Sequence, residues 1–151
     1  MSALSVREAN LDDLEIVAGL FDGYRQFYQQ ASDLDGARRF LRDRFEHGQS
    51  TIFLATIDGR AAGFTQLYPS FSSVSMKRLF ILNDLFVAPD CRQQGVGRAL
   101  LDAAARYGRA LGAKELLLQT AIDNLAGQAL YESSGWIRDQ SFYVYELSLT
   151  S

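Results

Sequence analysis

The stretch CRQQGVGRALLDAAARYGRALGA (91–113) sets two glycines, Gly95 and Gly97, directly ahead of an amphipathic helix. Val96, Ala99, Leu100, Ala103, Ala104, Tyr107 and Leu111 fall on one helical stripe, and Gly112 ends it. The run before it, RLFILNDLFVAP (78–89), is nearly all apolar and is stopped by Pro89, the pattern of a central strand buried on both faces. After the helix, KELLLQT (114–120) reads as a second buried strand. A helix joining two buried strands predicts that they are parallel. Between strand and helix the first N–H groups of the helix have no intrahelical partner, and the helix dipole adds positive charge. That is an anion site suited to phosphate or pyrophosphate, with Arg92 and Arg98 at its rim. A P-loop would need Gly-Lys-Ser/Thr, but Arg98-Ala99 follows Gly97. A Rossmann fingerprint would need a third small residue where Leu100 stands. A tight strand–helix turn is the structural alternative for the two glycines.

Outward from this block, LSVREA (4–9) reads as a strand, and Asn10 as the N-cap of a helix carrying Leu14, Val17, Ala18 and Phe21 on one face. A second helix spans 33–48, with Gly48 as its stop. The segments 51–57 and 61–68 form a hairpin around Asp58-Gly59, a type I′ turn signal. DNLAGQALYESSG (123–135) is a short helix, and WIRDQSFYVYELSL (136–149) reads as strand, turn and strand. The order β α α β β β α β α β β predicts an α+β (mixed α/β) domain, a mixed sheet with helices on both faces. With no repeat, linker or low-complexity stretch, residues 1–151 are expected to form a single domain.

The net charge of −3 and pI near 5.1 argue against non-specific nucleic-acid binding. One cysteine, Cys91, excludes an internal disulfide and reads as a plain free thiol. With His47 the sole histidine, neither a histidine-based metal site nor a Ser-His-Asp triad has material, so no metal is expected. No signal peptide or bilayer-long apolar run is read, so the expected location is cytoplasmic, without a membrane partner.

Arg92-Gln93-Gln94-Gly95-Val96-Gly97 resembles the R/Q-x-x-G-x-G/A signature of the GNAT superfamily of acetyl-CoA-dependent N-acetyltransferases. ILNDLFVAPDCR and DNLAGQALYESSGW resemble family elements at the family's spacing, and the element order fits nearly the whole chain. Within the superfamily, NDLFV and ALYESSGW look most like the diamine and polyamine branch and the small histone-type acetyltransferases. The resemblance implies a central six- to seven-stranded sheet flanked by about four helices, with splayed parallel strands forming the cleft for acetyl-CoA.

By that resemblance, Arg92, Gln93, Gln94, Gly95, Val96, Gly97 and Arg98 hold the diphosphate, and the backbone of Phe86 and Val87 pairs with the pantetheine arm. Asn124 and Gly127 also belong to the cofactor side, although Asn124 reads equally as an N-cap. Tyr131 takes the tyrosine position of the family's block and protonates the departing thiolate; on spacing alone it would be a core residue. A primary amine with a pKa near ~10.4 is only about one part in 10³ neutral at pH 7, so the reaction needs a base. Polyamine-type relatives commonly carry Glu-Asp where this chain has Asn83-Asp84, and an amide takes no proton. Asp84 is left as base, directly or through a water, or as partner of the ammonium; a structural aspartate at a strand bulge is the alternative. A backbone N–H near Phe86 is the expected oxyanion donor. Tyr24, Tyr28 and Asn83 are expected to bind the acceptor, with Phe27, Asp33 and Asp35 nearby and the polar loop 68–78 beside it; for the tyrosines, Phe27 and the aspartates an ordinary helix face with solvated charges is the alternative. The expected partner is a small-molecule or peptide amine. A homodimer is expected through the aromatic C-terminal end. A non-catalytic CoA-binding sensor of the same fold, or an interaction module, are the competing readings.

Overall fold

A computed structural model describes residues 3–150. Its strands are β1 (Leu4–Glu8), β2 (Thr51–Ile57), β3 (Arg60–Ser72), β4 (Lys77–Val87) and β5 (Leu116–Leu117). Its helices are α1 (Leu14–Phe27), α2 (Leu34–Glu46), α3 (Val96–Ala110) and α4 (Leu125–Ser133). Contacts group them into two compact units, Met1–Gln119 and Thr120–Ser151.

Local chemistry starts the first unit as the sequence predicts. The Asn10 side chain accepts from Asp12 N at 2.9 Å, and the Asp13 carboxylate accepts from Asn10 N at 2.9 Å, a reciprocal cap on the 3₁₀ turn that leads into α1. Arg7 grips the same carboxylate with two bonds, 2.8 and 2.7 Å, and holds Asp13 below the usual carboxylate range. Asp33 caps α2 by accepting from Gly36 N at 2.9 Å. Asp58 and Gly59 both take positive φ, 50° and 81°, as a type I′ turn demands.

The sheet runs β1-β2-β3-β4-β5; β1 to β4 pair antiparallel and β4 with β5 parallel. Alternation along β2 sends successive side chains to opposite faces. Ile52 and Leu54, with Phe64 and Phe86, pack in one core with Val17, Phe21 and Leu41 of α1 and α2. Thr51 and Phe53 meet Tyr107 of α3, through a 2.9 Å hydroxyl contact and an edge-to-face ring pair at 5.6 Å. Helices therefore cover both faces, and each fully buried aliphatic or aromatic side chain adds about 1.5–3 kcal/mol.

Four expectations are corrected. Among the described residues the sheet has five strands, not six to seven. The strand expected over 114–120 is reduced to Leu116–Leu117, and Leu117 is 44 % exposed, so it is an edge strand and not a central one. The C-terminal stretch 136–149 holds no strand, and Phe142, Tyr143, Val144, Tyr145, Leu147 and Leu149 are all exposed. Apolar pattern reports what a segment wants to bury; a strand also needs a neighbour with free N–H and C=O groups. The polar loop expected over 68–78 is also shorter: β3 and β4 extend into it as a hairpin, leaving a turn closed by Met76 N to Ser73 O at 3.2 Å.

Candidate active site

The β3–β4 pairing breaks register at one place. Gln66 pairs with Asp84 and Leu67 with Leu82, so Asn83 has no partner across the ladder. This β-bulge re-aims the side chains on either side of it. Asn83 stays exposed while Asp84 is buried, 2 % accessible.

Four groups fix Asp84. Asn83 Nδ2 donates to Oδ1 at 2.7 Å, and Gln66 Nε2 donates to Oδ2 at 2.6 Å. Thr65 Oγ1 donates to the Asp84 carbonyl at 2.7 Å. From α1, Tyr24 Oη donates to the Asn83 carbonyl at 3.1 Å, close enough to add a smaller stabilisation of the carboxylate. Burial pushes the Asp84 carboxyl above its ordinary range, and the bonds from Asn83, Gln66 and Tyr24 pull part of the way back. The phenols beside it respond in turn. Burial first, then the Asp84 charge, drives Tyr24 well up and pushes Tyr68 up to about 12. The result is a buried carboxylate held by amides and phenols. The charge partner that would compensate such a carboxylate is a cation.

Of the expected acceptor residues, Tyr24, Tyr28 and Asn83 come together here. Tyr28 packs edge-on to Tyr24 at 5.1 Å and is 43 % exposed, and Tyr24 lies 6.5 Å from the Phe86 ring. Gln66, Thr65, Ser50 and Tyr68 were not picked out from the sequence. The available signal was the Thr65-Gln66 pair inside the apolar hairpin strand, since a buried polar side chain must have a partner.

On its other side β4 opens. It pairs with β5 only at Phe80 and Ile81, so Leu82–Val87 have β3 on one edge and no strand on the other among the described residues. Beyond Val87 the chain turns through Gln93 and Gly95, both left-handed with φ of 61° and 82°. Gly95 is the N-cap of α3 and supplies no side-chain cap; the first helical bond is Ala99 N to Gly95 O at 3.0 Å. The N–H groups of Val96 and Gly97 precede that bond, and the curled loop is the kind that gathers such groups toward an anion. Arg92 is exposed at the rim, where its Nε donates to the Val87 carbonyl at 3.2 Å and its guanidinium lies 6.0 Å from the Phe27 ring. Gln94 reaches the Asp90 carbonyl at 3.4 Å. Cys91 is buried, and burial pushes its thiol up, away from nucleophilic use.

In the second unit Asn124 is the N-cap of α4. Its Oδ1 accepts from Gly127 N at 3.1 Å and its Nδ2 donates to Thr120 Oγ1 at 3.0 Å. A Cβ at Gly127 would lie 2.5 Å from Asn124 Nδ2, so cap and glycine depend on each other. Tyr131 is half-buried on α4, 6.1 Å ring to ring from Trp136, and the helix closes at Gly135 with φ 95°.

The model of the Acetyltransferase (GNAT) family matches residues 17–136. The chain belongs to that family. It is 49 % identical over 146 residues to the Bacillus subtilis protein named Uncharacterized N-acetyltransferase YhfO, covering 97 % of this chain and 98 % of that one. A crystal structure of a probable acetyltransferase superposes with a TM-score of 0.93 at 41 % identity, covering 97 % and 99 % of the two chains. The aminoglycoside N-acetyltransferase AAC(6')-Iy in complex with CoA shares the fold, with a TM-score of 0.81, 23 % identity, and coverage of 97 % and 96 %. This GNAT protein is thus an acetyl-CoA-dependent N-acetyltransferase. The donor set suits the co-substrate, because an uncapped, glycine-led helix start beside an exposed arginine matches a diphosphate. Among the described residues no cluster of three or more His, Cys, Asp or Glu is placed to hold a metal ion, and no helix is long and apolar enough to cross a membrane.

Proposed function

We propose that the chain acetylates a primary amine of a small or basic, cationic acceptor, and that Asp84 receives that amine. The observation that carries this reading is the buried Asp84 carboxylate beside the Tyr24 phenol, on which the exposed Tyr28 ring packs. Acceptors that fit are polyamines, amino acids, lysine side chains and, as for AAC(6')-Iy, aminoglycosides. The diamine and polyamine branch is one member of this set.

Asp84 pairs with the ammonium and takes its proton, directly or through a water, which frees the nitrogen lone pair to attack the thioester carbon. Acetyl-CoA supplies that activated carbonyl. A main-chain N–H near Phe86 faces the acyl oxygen as charge builds on it. Gln93, Gln94, Gly95, Val96, Gly97, Arg92 and Arg98 hold the diphosphate, and Phe86 and Val87 pair with the pantetheine arm along the open edge of β4. Asn124 and Gly127 shape the start of α4, and Tyr131 returns a proton to the departing thiolate. The single domain expected over residues 1–151 is part of this proposal, and the family match across 17–136 supports it. The working location is the cytoplasm.

Release of free CoA thiol from acetyl-CoA against spermidine, lysine, an aminoglycoside and a lysine-rich peptide tests the acceptor class. The expected result is turnover with cationic amines. CoA binding without turnover on any amine would favour a sensor instead. Tyr131→Phe is expected to lower kcat about tenfold with CoA affinity kept; equal loss of CoA binding would make it a packing residue.

The exposed aromatic end supports a homodimer. Phe142, Tyr143, Val144, Tyr145, Leu147 and Leu149 are all exposed, and a run of exposed apolar side chains is the kind that a second chain covers. Light scattering is expected to give twice the chain mass of 16.8 kDa, and Tyr143→Asp with Tyr145→Asp to halve it. A monomer at micromolar concentration would overturn the dimer.

A further inference from the structure

The Asp84 carboxylate is reached by a chain of hydrogen bonds that crosses three strands. Ser50, just ahead of β2, donates from Oγ to Gln66 Oε1 at 2.7 Å. Gln66, on β3 and fully buried, donates from Nε2 to Asp84 Oδ2 at 2.6 Å. Gln66 and Asp84 are direct cross-strand partners at the last in-register pair before the Asn83 bulge. A buried glutamine in a strand core is costly unless both ends of its amide are used. Here both are, and the two uses are linked. The ionised carboxylate only accepts, so it selects the amide nitrogen, and Ser50 holds the oxygen that this leaves on the far side. Without that hydroxyl the buried Oε1 loses its partner and the amide its second anchor.

We propose that Gln66, locked by Ser50, is a positioning residue for Asp84, fixing the plane of the carboxylate that meets the acceptor amine. The proposal rests on the reading of Asp84 given above. Asn83 anchors Oδ1 from the exposed side of the bulge, and Gln66 anchors Oδ2 from within the sheet. The carboxylate is thereby held at two points and cannot rotate about its Cβ–Cγ bond without breaking one of them. The titratable groups around it are Tyr24 from α1, with Tyr28 one turn further on, and Tyr68 from β3; Arg44 of α2 acts on Tyr68. Burial holds the Tyr24 and Tyr68 phenols well above the range where a carboxyl titrates.

The test follows the Asp84 carboxyl carbon by ¹³C NMR through a pH titration, in the parent protein and in Gln66→Leu, Ser50→Ala and Ser50→Thr. Gln66→Leu removes a donor to the charged form, so the Asp84 midpoint is expected to rise by about one pH unit. Ser50→Ala is expected to move it the same way by less, and Ser50→Thr to restore it, because threonine keeps the hydroxyl. Where Gln66→Leu does not fold, the Ser50 pair decides. A midpoint unmoved in the folded variants overturns the proposal. The acid limb of kcat/KM, measured with the fastest amine of the panel, is expected to shift with the midpoint. A moved midpoint with the limb left in place overturns the role given to Asp84 and leaves the Ser50–Gln66 relay standing.

Discussion

Asp84→Asn is expected to lower kcat/KM by about 10²- to 10³-fold, the range for losing a positioned proton acceptor. The variant should fold. The amide introduced there can accept from Asn83 through its oxygen, and its nitrogen can face a Gln66 that has turned over. The Ser50 hydroxyl, which both donates and accepts, can then take the Gln66 nitrogen as its new partner. The pH dependence separates chemistry from structure. The folded-state pKa of Asp84 is raised by burial, so its contribution to stability is fully present below the unfolded carboxyl pKa and is lost as pH rises through the folded value. Above that folded value the parent carries an unfavourable buried charge that Asp84→Asn lacks. Thermal unfolding should show the variant gaining on the parent as pH rises from the ordinary carboxyl range to the raised Asp84 midpoint, while its activity stays low throughout. A variant as active as the parent would leave Asp84 as no more than the structural aspartate of a strand bulge.

Gly97→Val is expected to cut CoA affinity by about 10²-fold or more in a folded protein. Gly97 is the second residue of α3 and is not among the residues with positive φ, so valine meets no backbone strain there. A β-branched residue near a helix start costs only a few tenths of a kcal/mol. What it adds is bulk at the N–H groups of the first turn, where a diphosphate must come within hydrogen-bond distance. Charge-assisted bonds of this kind contribute about 1.5–3 kcal/mol each, and losing one or two accounts for the expected drop. Gly95→Ala acts differently. Its φ of 82° makes any Cβ strained, so that variant should lose about 1–2 kcal/mol of stability as well as affinity. Isothermal titration with CoA on folded Gly97→Val reads the result, and retained affinity would contradict the diphosphate assignment.

Much of this was readable because the chemistry is local. Asn10 and Asp58-Gly59 each act within three residues of themselves, and the structure uses them as cap and turn. The glycine-led start of α3 is likewise a short-range signal, and the parallel pairing of β4 with β5 follows from one crossover. The network around Asp84 is not local. Ser50, Gln66 and Asp84 come from three separate strand regions, and the bulge that turns Asp84 inward sits in an apolar run whose spacing gives no sign of it. The C-terminal end failed for a different reason. Tyr143, Tyr145 and Leu147 carry strand-like alternation, but their alternation says nothing about where a neighbouring strand is to be found.

The most direct test of the central claim is the Asp84 carboxyl titration by ¹³C NMR, with and without the fastest amine of the panel bound. An ammonium beside the carboxylate favours its charged form, so the midpoint, above the ordinary carboxyl range in the free protein, is expected to fall when the amine binds. A midpoint unchanged by saturating amine would mean that the acceptor binds elsewhere and that the buried carboxylate is not its partner.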